Sequence, residues 1–590
     1  MRLIPLLVLG LPLLAQSMTS AQQRADRFLA LVNSNYRALT AVVGQAQWLA
    51  MTDVKPEHDA ASEWASKAFA AFNGDPVLIT EAKALLAQRR DLDERTVRQL
   101  DRLLLMPYGA EGPMTNPDLV AARIEAETRQ ASTMNGFQFK VDGKPVSAND
   151  LDKTLGASKD LLERRKWWEA SKEIGVPLRD GLVKLRDLRN GVARELGYPD
   201  YFSLQAARYG LSADQMASYN RKFLEELRPL YLQLHTWVKY ELAKRYRQPV
   251  PRRIPAHWIN NRWSQNWTGF IDAVNLDPYF KGWTAERIVH TAEDFYVGLG
   301  FPHLPKSFWE KSDLYPVKPG DPRRKNAHAF CNHIDLESDI RSLMSVEPDS
   351  QWFETAHHEL GHGYYFIAYT NPEVPPLLRD GANPSFHEGI GELVGLATRQ
   401  IPYLKHTGVL PKDFRVDPMQ VLLNDALETA IPFMFWACGT MPEWEGEFYG
   451  RNLPVDRLNA RWWQIVADNQ GVEPPAPRGE AFCDAATKTH INDNPAYYYS
   501  YGWATVFKFQ LHDHICRKIL KQDPRNANYA GNTEVGAFLN RILRKGASED
   551  WRKILKDATG EDLSTRAMKD YFAPLMTWLE AQNRGRQIGW

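Results

Sequence analysis

Two histidines four residues apart with a glutamate beside the first stand at His358-Glu359-Leu360-Gly361-His362. On an α-helix, positions i and i+4 lie one above the other, so both imidazoles can meet one metal ion. Glu359, turned about 100° from His358, can then reach a water on that ion. This is the ligand spacing of a zinc site. Catalytic zinc takes three protein donors and leaves a position for water, so a third donor must come from elsewhere. Phe386-His387-Glu388-Gly-Ile-Gly391-Glu392 offers two carboxylates one helical turn apart. Glu388 is the expected third ligand, and Glu392 the expected acceptor that holds a ligand imidazole in its tautomer. His357 points off the ligand face and is expected to pack. On spacing alone the chemistry is metal-assisted hydrolysis, with Glu359 as general base and acid.

Such a site needs two helices held side by side, and the surrounding sequence supplies many. Apolar residues recur at spacings of three and four over 26–49, 60–72, 91–105, 159–173, 212–245 and 533–555, which predicts helices there. Long alternating strand patterns are scarce. Proline and glycine punctuate 315–323, 371–384 and 473–479, predicting loops, the first bounded by short strands. A large, mainly α-helical body follows. The 19 tryptophans are expected first as core and only then as ligand lining.

Lys+Arg and Asp+Glu are equal at 72 each among 590 residues, and no long basic block occurs. Phosphate neutralisation needs a clustered basic surplus, so nucleic acid is not an expected partner. Met1 and Arg2 precede the apolar run 3–14 and small-x-small patterns that end near Ala21. Residues 1–21 read as a secretory signal peptide, too short to span a bilayer about 30 Å thick. The expectation is therefore a secreted or periplasmic protein with no stable membrane anchor. Four cysteines, Cys331, Cys438, Cys483 and Cys516, do not make a disulfide scaffold; if one bridge forms, Cys483 with Cys516 is the expected pair.

The stretch from His358 to His362, followed by Arg379-Asp-Gly-Ala-Asn-Pro-Ser-Phe-His387-Glu388, resembles angiotensin-converting enzyme and the peptidyl-dipeptidase A family of zinc metallopeptidases. Similar segments run along nearly the whole chain: Ile254-Pro-Ala-His-Trp258, Trp263-Ser-Gln-Asn-Trp267, His328-Ala-Phe330, Trp462-Trp463, Lys488-Thr-His490, Tyr571-Phe-Ala-Pro574 and Ile588-Gly-Trp590. The resemblance implies one catalytic domain over 22–590, an ellipsoidal helical fold split by a deep channel under a helical lid. It also implies a single catalytic zinc and oligopeptide substrates cut from a free C-terminus.

By the same resemblance, Tyr501 and His490 are the donors to the oxyanion that develops during attack. Lys488, Gln265 and Tyr498 are the clasp for the substrate carboxylate. His328 and the Ala329 backbone match the strand that hydrogen-bonds extended substrate. The family's carboxypeptidase branch places Arg where this chain has Gln265, so dipeptide release is favoured. Single-residue carboxypeptidase or oligopeptidase action on the same scaffold, and a non-hydrolytic peptide-binding zinc protein, are the alternatives.

Several positions depart from the family pattern. One extra residue between His490 and Cys516 admits a register in which Tyr497 takes the place of Tyr498. Ser500 and Val466 replace chloride-binding arginines of the animal enzymes, which argues against chloride as a cofactor. Ala327 and Glu473 stand at family cysteines. Asn266-Trp267-Thr268 is a glycosylation sequon whose use is discounted because it adjoins Gln265.

Overall fold

The computed structural model describes residues 20–105, 116–267, 275–318, 320–326 and 328–590. The expected signal peptide lies outside them up to residue 19, as do Thr268 of the sequon and Ala327. Ser20 and Ala21, its last two residues, open the first helix, Ser20–Thr52.

The chain is 66% helical, with few and short strands. The helices expected over 26–49, 60–72, 91–105, 159–173 and 212–245 appear as Ser20–Thr52, Pro56–Asn73, Glu94–Leu104, Leu161–Lys172 and Ala213–Tyr246. Local chemistry sets their ends. Ser212 and Gln215 form a reciprocal capping box at the last of these, and Asp93 and Asp160 each accept a backbone N–H at theirs. The single helix expected over 533–555 is instead two, Thr533–Leu543 and Trp551–Thr559. Gly546 breaks it with φ +49°, where a β-carbon would sit 2.7 Å from the Leu378 carbonyl oxygen.

The run Pro418–Gly450 is long and apolar enough to cross a membrane, yet 76% of its most apolar window is buried inside the protein. It widens into π-helical turns at Ala426–Ala430 and Phe435–Thr440, and each turn ends two residues before a proline, Pro432 and Pro442. Proline offers no N–H and crowds the carbonyl four residues back, so a wider turn relieves both problems.

Among the described residues, strands form three two-stranded pairs. Phe139–Val141 pairs antiparallel with Lys144–Val146, and Ile254–Pro255 parallel with Val472–Glu473. Phe330–His333 pairs antiparallel with Ile340–Leu343, and the chain ahead of the 315–323 loop adds only a bridge from Asp313 to Leu343. One large apolar core runs from Phe139 to Leu579 and contains Trp168, Trp267, Trp436, Trp444 and Trp503. The N-terminal helices form a smaller core of their own, joined to Leu336 and Leu377.

All four cysteines are free thiols, which overturns the expected Cys483–Cys516 bridge. The two are buried in different surroundings. Cys483 precedes the turn Asp484–Thr487, with its carbonyl against Gly175, and the Cys516 thiol packs 3.6 Å from His512 Nε2. Burial pushes both thiols up to about 12, so neither is poised to oxidise.

Candidate active site

The metal motif lies in the helix Ser350–Tyr369, started by Asp349, whose carboxylate accepts from the Trp352 N–H. Glu388 lies in the helix Pro384–Thr398, started by Asn383 with Pro384 at the first turn. Glycine brings the two together. The Cα of Gly391 lies 3.3 Å from where a Gly361 β-carbon would be, and a β-carbon on Gly391 itself would meet the His358 ring at 2.7–2.8 Å. His357 takes the opposite side of its helix. Its Nε2 contacts the Tyr403 hydroxyl at 2.8 Å and its Nδ1 the Phe353 carbonyl at 2.6 Å, so it packs as expected and is not a ligand.

The Nε2 atoms of His358 and His362 stand 3.2 Å apart, and Glu388 Oε1 lies 3.7 Å from His358 Nε2. Donor atoms of all three residues fall within 4.8 Å of one another, the only group of its kind among the described residues. Two nitrogens each about 2.0–2.1 Å from one tetrahedral ion would be separated by roughly 3.3 Å, so the spacing suits zinc. Two imidazoles and one carboxylate are also a known catalytic zinc donor set. His358 and Glu388 keep 21% and 30% of their side-chain surface although protein encloses them, which leaves room for an ion and a ligand. Burial, with His358 and then His387 alongside, holds the His362 imidazole neutral, as a metal ligand must be.

Glu359 faces this space with its Oε2 buried and without a hydrogen-bond partner. Burial pushes its carboxyl up to about 7, against the pull of the His358 imidazole. An orphaned carboxylate oxygen next to convergent imidazoles is an arrangement that a bound ion and its water would satisfy.

Glu392 lies close enough to His358 to act on it electrostatically, and its own ion-pair and hydrogen-bond partners stand on a third helix. It forms an ion pair with Lys508 Nζ at 2.8 Å and accepts from the Thr505 hydroxyl at 3.3 Å. Both partners lie on the helix Tyr499–His514, at i+4 and i+7 from Tyr501, so one face carries all three. Lys508 was missed in the sequence, although a lysine in so apolar a helix was a signal.

The residues expected to clasp a substrate carboxylate come together from distant segments. Lys488 Nζ donates to Gln265 Oε1 at 3.0 Å across 223 positions, and the Tyr498 hydroxyl donates to the same oxygen at 3.2 Å. Lys488 lies between the rings of Trp263, 4.4 Å away, and Tyr498, 5.1 Å away. Burial and then Arg262 press its ammonium down to about 8. Gln265 is aimed by Ser264, which takes a left-handed φ of +57° while its carbonyl accepts from Gln470 and Trp267. Of the two tyrosine registers, Tyr498 reaches Gln265, while the Tyr497 hydroxyl donates to the Pro384 carbonyl at 3.5 Å. Ala496, with φ +52°, turns the chain just ahead of both.

The His490 ring lies 4.8 Å from Tyr498 and 5.9 Å from Tyr501, and the two tyrosine rings are 5.1 Å apart. Burial, then Lys488, lowers His490 to about 4, so its imidazole is neutral near pH 7. Burial raises the Tyr501 phenol far above its ordinary value, keeping it a protonated donor. His328 and Ala329 come immediately before the strand Phe330–His333, not within it. His328 is exposed and close enough to act electrostatically on both Glu388 and His490. At Ser500 the Tyr209 hydroxyl donates at 2.6 Å and also contacts Ser385 at 2.8 Å, and Val466 is core.

The family model described as angiotensin-converting enzyme, peptidase M2, matches residues 19–590. The angiotensin-converting enzyme of Theromyzon tessulatum is 30% identical over 461 residues, covering 75% of this chain and 73% of that protein. That of Bos taurus is 32% identical over 465 residues, covering 75% of this chain, and that of Mesocricetus auratus 27% over 603 residues, covering 96%. The chain spans only 35% and 44% of the length of these last two. A His-His-Glu triad between two glycine-apposed helices, found where the family match runs from near the first described residue to the last, leaves no ambiguity of kinship: the chain belongs to the angiotensin-converting enzyme family.

Proposed function

We propose that the protein is an exported zinc peptidyl-dipeptidase that releases dipeptides from the free C-terminus of oligopeptides. The observation that carries this reading is continuity. Lys488, Gln265 and Tyr498 form one cluster, the Tyr498 ring abuts His490 and Tyr501, and Tyr501 lies within electrostatic reach of Glu388 of the triad. A cationic clasp for a carboxylate thus borders the donors that flank a hydrolytic centre, as an enzyme measuring from a chain end requires.

His358, His362 and Glu388 would hold the zinc. When bound, the ion supplies Lewis-acid polarisation of a carbonyl and acidification of water. Glu359 takes the proton from the attacking water and hands it to the leaving amine, the role its raised proton affinity and unpartnered oxygen suit. Tyr501 and neutral His490 donate to the oxyanion, and donors fixed before attack need no reorganisation during it. Lys488, with Gln265 and Tyr498, anchors the terminal carboxylate and so fixes which peptide bond meets Glu359. His328 and Ala329 align the backbone before that bond. Export rests on residues 1–21.

Mass spectrometry of products from one unblocked decapeptide, with metal content measured on the same sample, tests the reading. Successive two-residue losses that slow sharply on C-terminal amidation are expected. Single-residue losses would point to carboxypeptidase action on the same scaffold, and no chelator-sensitive turnover at all to a binding protein.

A further inference from the structure

Three buried hydroxyls meet where two helices of the candidate active site begin. Tyr209, Ser385 and Ser500 are each at most 2% exposed. The Tyr209 hydroxyl donates to Ser500 Oγ at 2.6 Å, and Ser385 Oγ lies 2.8 Å from the same phenol oxygen. A phenol carries one proton. With that proton directed to Ser500, Ser385 is the donor to Tyr209. Ser500 in turn hydrogen-bonds the Tyr497 phenol, whose hydroxyl donates to the Pro384 carbonyl at 3.5 Å. The chain of hydroxyls therefore runs in one direction and ends on a backbone acceptor.

Each serine stands beside a group the reaction would use. Ser385 lies three residues before Glu388 on the helix Pro384–Thr398, so the two share a face. Ser500 immediately precedes Tyr501 on the helix Tyr499–His514. One phenol oxygen thus spans the starts of two helices, one carrying a candidate metal ligand and the other an oxyanion donor.

The spanning residue is itself held in place. Tyr209 follows the helix Tyr201–Ala207, and its carbonyl accepts from Trp551 Nε1 at 2.9 Å. Its ring lies 5.7 Å from Tyr499 and 5.3 Å from Trp503. Hydroxyls in an apolar core are costly unless each is paired, and a fully paired set fixes one arrangement where apolar packing admits several.

We propose that Tyr209 is a positioning residue for the reaction: its hydroxyl, between Ser385 and Ser500, sets the distance of Tyr501 from Glu388 and so aims the Tyr501 phenol at the oxyanion. This rests on the oxyanion role proposed for Tyr501.

The test is a cycle of Tyr209→Phe and Tyr501→Phe, assayed on one unblocked decapeptide, with zinc affinity measured on each protein. Loss of an oxyanion donor lowers turnover by about 10²–10³-fold, and Tyr501→Phe should do so. Tyr209→Phe alone should lower kcat and kcat/KM together by about 10–100-fold, because a misaimed donor is missed in the transition state and not in substrate binding. In the Tyr501→Phe background the same change should cost less than about twofold, since nothing is left to aim. Zinc affinity should be unchanged throughout. A further readout needs no turnover: in zinc-free protein labelled with [ζ-¹³C]tyrosine, Tyr209→Phe should move the Tyr501 resonance, identified by its absence in Tyr501→Phe. Should the orphaned serines keep Tyr209→Phe from folding, adding Ser385→Ala and Ser500→Ala removes them, with the same expectation. Equal losses in both backgrounds, a loss traced to KM or to zinc, or an unmoved Tyr501 resonance overturns the proposal. Full activity of Tyr501→Phe alone would remove the oxyanion role and this inference with it, a failure of the proposed function visible without touching Tyr209.

Discussion

Gly391 lies against the imidazole of His358 so closely that a methyl group in its place would come within 2.7–2.8 Å of three ring atoms. The candidate metal ligand is thus positioned by the absence of a side chain on the neighbouring helix. Gly391→Ala should push the His358 ring off the point it shares with His362 and Glu388. The expected loss is about 10–100-fold in zinc affinity, the range seen when a ligand's support is disturbed, alongside about 1–3 kcal/mol of overpacking cost. Gly389→Ala is the control. It collides with Phe507, 2.5 Å away, on the same helix but off the ligand face, and should destabilise the fold while leaving zinc affinity intact. Competition with a coloured chelator, beside urea unfolding, separates the two effects.

Glu359→Gln keeps the shape of the side chain and removes the proposed base. Zinc content should be unchanged, because Glu359 is not one of the three converging donors. Turnover should fall by about 10² to 10⁴-fold, the usual contribution of positioned proton transfer. Metal analysis and product release on the same preparation check this, and loss of zinc in the variant would reassign Glu359 as a ligand.

The parts of this site that were legible in the sequence are those that follow from helical period. His358, His362 and Glu359 are set by one helix, and Glu388 by the next, so spacing alone gave a triad that the fold brings within 4.8 Å. Lys488 and Gln265, 223 positions apart, have no such local rule and were legible only through resemblance. Three features escaped. The role of Gly391 depends on a neighbouring helix, which single-sequence periodicity does not contain. The break at Gly546 is hidden because apolar spacing continues through it into the next helix. The partner of Glu392 went unseen because a carboxylate one turn after a ligand suits a second imidazole as well as a lysine.

If Lys488 clasps the substrate carboxylate as proposed, it links substrate binding to pH. Burial holds its ammonium near 8, so above that pH the clasp loses its charge. For a peptide with a free C-terminus, kcat/KM should decline as pH rises through about 8, while an amidated peptide should lack this limb, as should Lys488→Met. The stability effect has the opposite sense. An unfolded lysine titrates near 10.4, so between about 8 and 10.4 the unfolded chain binds more protons and stability rises with pH. Lys488→Met should flatten that slope. Loss of one charge-assisted contact to the carboxylate should cost about 1.5–3 kcal/mol, or roughly 10- to 150-fold in kcat/KM at neutral pH.

The pairing of Glu392 with Lys508 gives two explanations of Glu392 that one cycle of variants can separate. Lys508 is 5% and Glu392 20% accessible, so breaking the pair from one side leaves a largely desolvated charge. Lys508→Met should cost about 3 kcal/mol, the lower end for a buried pair given the exposure of Glu392, and Glu392→Gln added to it should recover much of that loss. Urea midpoints measure both. If Glu392 acts by holding a ligand imidazole, Glu392→Gln will lower zinc affinity equally with or without Lys508. If its work is to neutralise Lys508 and tie the Pro384–Thr398 helix to the Tyr499–His514 helix, Glu392→Gln will change zinc affinity little in the Lys508→Met background. The observed 2.8 Å ion pair favours the second outcome. Equal losses of zinc affinity in both backgrounds would restore the imidazole-holding role expected from spacing.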